Sequence, residues 1–191
     1  MTAVRIIALV TATLATGLIA GLFYAYAISV MPALARMDDR TVVETMQRIN
    51  VVIINPLFMI AFLGTVGFGL AAAAVHLGGQ HRATLVWVAV ALALNVVAFV
   101  VTVACNVPLN DQLAAAGAPE ALTDPAAVRA QFENPWVRWN IIRAVLHTLA
   151  FAVLCGALFT AGVQSGQDRA DQVGEPRLFG QVAAGGETVL R

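Results

Sequence analysis

Residues 49–81 read INVVIINPLFMIAFLGTVGFGLAAAAVHLGGQH, 33 consecutive positions without Asp, Glu, Lys or Arg. A helix needs about 20 apolar residues to cross the hydrocarbon core of a bilayer, and a helix apolar on every face belongs in a large core or a membrane. Three further charge-free runs flank this one: Ile6–Ala35 (30 residues), Ala83–Asn110 (28) and Ala144–Gln167 (24). Only 12% of the 191 residues are charged, about half the share of a soluble domain. The pattern excludes a soluble globule, a nucleic-acid binder and a secreted disulfide scaffold. It predicts a multi-pass integral membrane protein.

Backbone groups in lipid must bond internally, so the expected fold class is all-α, a membrane four-helix bundle. The spans read approximately Val4–Met31, Val51–Leu77, Ala83–Cys105 and Trp139–Gly162. They make residues 1–162 one domain and leave 163–191 as a mostly disordered polar tail. The start imitates a secretory signal, but its apolar stretch is longer than the 7–15 residues of a signal core. We therefore read it as the first membrane helix. Gly17 and Gly21 form a GxxxG, which reads first as packing within the chain and second as a homo-oligomer face.

Alternating spans place the connections 32–50 and 106–138 together at one face of the membrane. Both carry short amphipathic helical signals. Thr41-x-x-Glu44 reads as a capping box, with Glu44 pairing to Arg48 as an alternative. Asp124-Pro125 reads as a cap followed by proline at the first helical position, and Asp38 and Asp39 read as solvated. The counts of Arg near the two faces, four against five, leave orientation open.

Polar side chains inside the membrane are costly and face the bundle interior. In the fourth span Trp136, Asn140, Arg143 and His147 are spaced by 4, 3 and 4 residues, on one helical face. Tyr24 and Tyr26 end the first span, Asn50 and Asn55 begin the second, and Asn106 and Asn110 follow the third. All of these ends meet at the same membrane face, with Asn95 and Thr102 deeper. A guanidinium, an imidazole, phenols and amides thus converge at one end of the bundle, and the other end has no comparable set. Trp136 reads as an interfacial anchor.

The same residues carry a resemblance. Gly21-Leu-Phe-Tyr-Ala-Tyr26, Val30-Met-Pro-Ala-Leu34, Asn55-Pro56, Asn106-Val-Pro-Leu-Asn110 and Trp136-Val-Arg-Trp-Asn-Ile-Ile-Arg143 resemble the anthrone oxygenase-like family, from about Gly21 to Gly162. The resemblance implies a small four-helix membrane protein. For its few characterised members it implies oxidation of a polyketide anthrone to an anthraquinone by molecular oxygen, without a cofactor.

The residues are compatible with that chemistry. Only His147 of the three histidines lies in the cluster, Cys105 and Cys155 form no CxxC pair, and no phosphate-binding glycine motif occurs, so neither a metal nor another cofactor is expected. Oxygenation without a cofactor needs a base and an oxyanion partner. His147 is the candidate base and Arg143 the candidate enolate stabiliser. Tyr24, Asn50, Asn55, Asn106, Asn110, Trp139 and Asn140 are the candidate substrate contacts. The expected partners are the lipid bilayer, a hydrophobic small molecule and molecular oxygen. Two alternatives remain open: a non-catalytic binder of a lipid or small molecule, and a structural scaffold in which the asparagines and Arg143 lock the helices.

Overall fold

The computed structural model describes residues 3–78 and 81–173, with side chains to residue 167. The described residues are helical, joined by short turns, with no strand among them. The elements are α1 (Ala3–Ala25), α2 (Met31–Leu34), α3 (Asp39–Val52), α4 (Pro56–Val75), α5 (Arg82–Val101), α6 (Val107–Ala115) and α7 (Pro125–Val173). Four continuous helical stretches are long and apolar enough to cross a membrane, Ala3–Leu34, Pro56–Val75, Arg82–Ala115 and Pro125–Gln167. The bundle closes as a ring in the order α1, α4, α5, α7.

Its packing is that of a protein solvated by hydrocarbon. Small residues fill the centre: Ala12, Ala72, Ala91, Ala98, Ala150 and Ala157 are wholly buried. Large ones point outward, with Leu18, Leu57, Ile60 and Phe159 more than 60% exposed. Lipid offers no drive to bury leucine, whereas small side chains let backbones approach. Gly17 shows the effect, since a β-carbon there would lie 2.8 Å from the Phe151 ring on α7. This glycine serves packing within the chain.

Three helix starts are set by local chemistry. Asp38, and not Thr41, caps α3: its carboxylate accepts the Thr41 amide at 3.1 Å and the Thr41 hydroxyl at 2.6 Å. These bonds hold the Asp38 carboxyl below its ordinary range. Glu44 pairs instead with Arg48 one turn on, and Asp39 pairs with Arg129. Asn55 caps α4 by accepting the Phe58 amide at 3.1 Å, with Pro56 at the first helical position. That break at 53–55 starts the second membrane helix at Pro56 instead of Val51. Asp124 accepts the Ala127 amide at 3.0 Å ahead of Pro125.

From there α7 runs unbroken for 49 residues, about 74 Å at 1.5 Å per residue, against roughly 30 Å of hydrocarbon. Helix therefore continues past Gly162 through Val173, where a disordered tail was expected to have begun. Positions 174–191 of that tail lie outside the described residues.

Two turns are π-helical, Tyr26–Val30 and Thr102–Asn106. Each is closed by an amide bonding five residues back, Met31 to Tyr26 and Val107 to Thr102, and each closing residue is followed by a proline, Pro32 and Pro108. A proline ring clashes with the carbonyl four residues earlier, and the wider turn makes room for it.

The two long connections pack together as a cap over this end of the bundle. Met31, Leu34, Val42, Val43, Met46, Leu113, Phe132 and Trp136 form its buried core. Arg129 donates to Met37 O and Ala35 O. Gln47 reaches Leu113 O and Gly117 O, while Arg40 bonds Pro119 O and Leu122 O.

Candidate functional site

A cavity of about 260 Å³ lies under the cap. Its walls are Leu22, Phe23 and Tyr26 from the first membrane helix, Ile49, Asn50, Ile53 and Ile54 around the α3–α4 break, and Phe58, Met59 and Phe62 of α4. Thr102, Val107 and Asn110 close one side, Trp136 and Arg143 of α7 another. Both π turns contribute a wall residue, Tyr26 and Thr102. Wide turns of this kind recur at functional sites because they re-aim side chains that a regular helix would send elsewhere.

Arg143 is the only charged residue in the wall, and it is 6% exposed. Its Nε and Nη2 donate to a single atom, Asn140 Oδ1, at 3.2 and 3.0 Å. Asn140 is itself held by donating to Phe23 O at 3.0 Å. The guanidinium lies flat over the Phe23 ring, 3.9 Å from its centroid, and 5.3 Å from the Trp136 ring. These contacts favour a cation. Among the described residues no carboxylate pairs with it. Two of its donors are satisfied, and no protein anion among the described residues balances its charge. Asn50 also lines the cavity, and its Nδ2 is buried without a partner.

The other walls are aliphatic and aromatic, with Phe99 packed behind Phe62. Phe58 and Phe62 stack at 5.4 Å, Phe62 and Phe99 at 5.1 Å, and Tyr26 lies 5.8 Å from Trp136. Trp136 donates to Asn110 Oδ1 at 2.8 Å and is 3% exposed. It is therefore a buried wall residue and not the interfacial anchor expected from its position.

The structure separates the other sequence candidates. Tyr24 is 55% exposed on the outer face, and Tyr26 occupies the wall in its place. Asn55 is spent on capping α4. Asn106 is wholly buried behind the wall, donating to Trp136 O at 3.2 Å with its own Oδ1 unpartnered. Trp139 is partly exposed and forms no part of the cavity.

His147 is set back from the cavity, behind Phe23, with the two rings 5.6 Å apart. Its Nδ1 meets Asn95 Oδ1 at 2.9 Å, while Asn95 Nδ2 donates to Thr16 Oγ1 at 3.1 Å and Thr65 O at 3.2 Å. A carbonyl only accepts, so the amide orientation is fixed and His147 Nδ1 must carry the proton. Nε2 is then a bare lone pair, buried and without a partner. Among the described residues no three His, Cys, Asp or Glu form a metal-binding group.

The sequence profile of the anthrone oxygenase family matches residues 51–153, more than half of the chain. The chain belongs to the anthrone oxygenase family. The matched stretch holds the cavity walls from α4, the second π turn, α6 and α7, with Arg143, His147 and Asn95, while Tyr26 and Asn50 lie outside it. No curated protein and no solved structure matches the chain.

Proposed function

We propose that this protein is a cofactor-independent membrane oxygenase of the bacterial cytoplasmic membrane, acting on a hydrophobic, enolisable aromatic ketone of the anthrone class. One observation carries the reading: a buried guanidinium without a counter-ion faces an otherwise apolar and aromatic cavity. An anthrone is neutral and flat, and becomes an anion when it loses a proton from the ring CH₂ opposite its carbonyl, to which that carbon is conjugated through the flanking rings. Arg143 is placed to bind the enolate oxygen, with Asn50 Nδ2 as a second donor. Such donors act most strongly in a site that excludes water. His147 Nε2 accepts the proton once Phe23 turns aside.

The electron-rich enolate then gives electrons to molecular oxygen, forming a C–O bond and a peroxide that takes back a proton. Loss of water breaks the O–O bond and the remaining C–H bond to leave a second carbonyl. One ketone and one O₂ give one quinone and one H₂O. No electron donor is needed.

The test is oxygen uptake by the detergent-solubilised protein with anthrone, as the excess over autoxidation in buffer. Arg143→Gln and His147→Ala should each remove most of that excess while the protein stays folded. Full activity in Arg143→Gln would overturn the reading, and full activity in His147→Ala would remove the base. The set-back position of His147 favours a second reading, a binder of acidic aromatic or lipid molecules that performs no chemistry. In that case the wild type shows no excess uptake, yet Arg143→Gln still weakens ligand binding.

A further inference from the structure

We infer that the cavity is loaded sideways from the bilayer, through an opening between the first turn of α4 and the start of α6, by a neutral aromatic molecule dissolved in hydrocarbon. The inference rests on the cavity being the ligand site and not on any turnover there. Three of its boundaries are closed. Toward the membrane face the cap interposes Met31, Val42, Met46, Leu113 and Trp136, none more than 3% exposed. Its helices are tied by Arg129, Gln47 and Arg40 to backbone carbonyls across the junction. Toward the bundle centre, Asn140, Arg143 and Phe23 form a floor, and the Asn95–His147 bonds seal the layer beneath. On the α1–α7 side the helices pack directly.

The remaining boundary is different. Of the cavity's wall residues only Ile54 and Val107 are substantially exposed, at 71% and 40%. They stand at the α3–α4 break and at the start of α6, and their neighbours Val51, Val52, Leu57 and Val103 are exposed and apolar as well. A surface of this kind is covered by hydrocarbon. A shallow groove lined by Met59, Ile60, Leu63 and Gly67 continues from it along the outside of α4, with Met59 common to groove and cavity. Such a path passes neutral lipid-soluble molecules and rejects charged conjugates, because a charge must first be stripped of water. The ligand thus meets its first cation only at Arg143.

Trp136, the cavity's own indole, reports the route in protein carrying Trp87→Phe and Trp139→Phe, reconstituted in phosphatidylcholine/phosphatidylglycerol vesicles. 2-Bromonaphthalene dissolved in the bilayer should quench Trp136 emission, and iodide in the water should not. Filling the opening with Ile54→Phe and Val107→Phe should restore the emission in bromonaphthalene. Both positions face lipid, so folding is checked by size-exclusion profile and circular dichroism. Quenching by iodide as strong as by bromonaphthalene would overturn the route. So would quenching by neither, or quenching unchanged in the filled variant. Bromonaphthalene quenching in protein that consumes no oxygen would leave the route standing and remove the oxygenase reading.

Discussion

Two polar layers cross the same bundle, about one helical turn apart on α7, and they are built to opposite ends. In the layer of Asn95, both amide hydrogens and the carbonyl are used, on Thr16, Thr65 and His147. All four helices of the ring are joined, and the amide faces no cavity. In the layer of Arg143, two donors share one acceptor, no carboxylate among the described residues pairs with it, and the group borders the cavity. The first layer is glue between helices. The second is a charge left over for something that is not protein. Polarity inside a membrane protein therefore does not by itself mark a site; unused bonding capacity beside a cavity does.

The largest effect should come from the second layer. Arg143→Gln keeps a polar side chain but removes the charge, and oxygen uptake with anthrone should fall by about 10²–10³-fold, the loss seen when an oxyanion donor is removed. Thermal stability in detergent should hold or rise, because an uncompensated buried cation is gone. A parallel loss of stability would make Arg143 glue like Asn95. Asn95→Leu should do the reverse. It breaks three bonds, each worth about 0.6 kcal/mol in a membrane interior, for roughly 2 kcal/mol of stability. Titration of ligand into the folded fraction should be little changed by it.

Trp136→Phe tests the wall between the Arg143 layer and the cap. It leaves Asn110 Oδ1 without its donor, at a cost of about 1 kcal/mol, and it should weaken ligand binding more than it weakens the fold. Ligand titration and thermal melts of the same preparation separate the two. The smallest effect belongs to the cap. The Asp38 carboxyl is held low by the Thr41 hydroxyl and amide. Its stabilisation is thus full above the ordinary carboxylate range and is lost as pH falls through its own value. Melting of the wild type should decline on acidification more than that of Asp38→Asn, and equal declines would assign the acid sensitivity elsewhere.

Much of this was legible in the residues. Charge-free runs of 24 to 33 residues announce the four helices. The 136, 140, 143, 147 spacing places Arg143 and His147 on one inward face, as found. What counting could not resolve is depth and register. The two π turns each add a residue to a turn, so 100° per residue misplaces whatever lies beyond them. Tyr24 itself precedes the first of them, and Tyr26, three residues after the buried Phe23, stands in the wall in its place. The signal was present in Met31-Pro32 and Val107-Pro108, prolines within apolar runs that a regular helix cannot accommodate without distortion. The set-back of His147 behind Phe23 depends on which of two inward side chains reaches further, and no spacing rule carries that. Thr41-x-x-Glu44 fits a capping box, yet Asp38 three residues earlier is the stronger acceptor, takes the Thr41 amide and starts the helix almost one turn sooner.

The opening rimmed by Ile54 and Val107 also changes how affinity has to be expressed. A cavity continuous with hydrocarbon is never empty, since an acyl chain or a detergent tail fills it whenever the ligand does not. Binding is then an exchange, and its midpoint is set by the ligand's mole fraction among the lipids and not by its molarity in the buffer. Doubling the lipid at constant ligand should halve the occupancy of a weakly filled site, although nothing in the aqueous phase has changed.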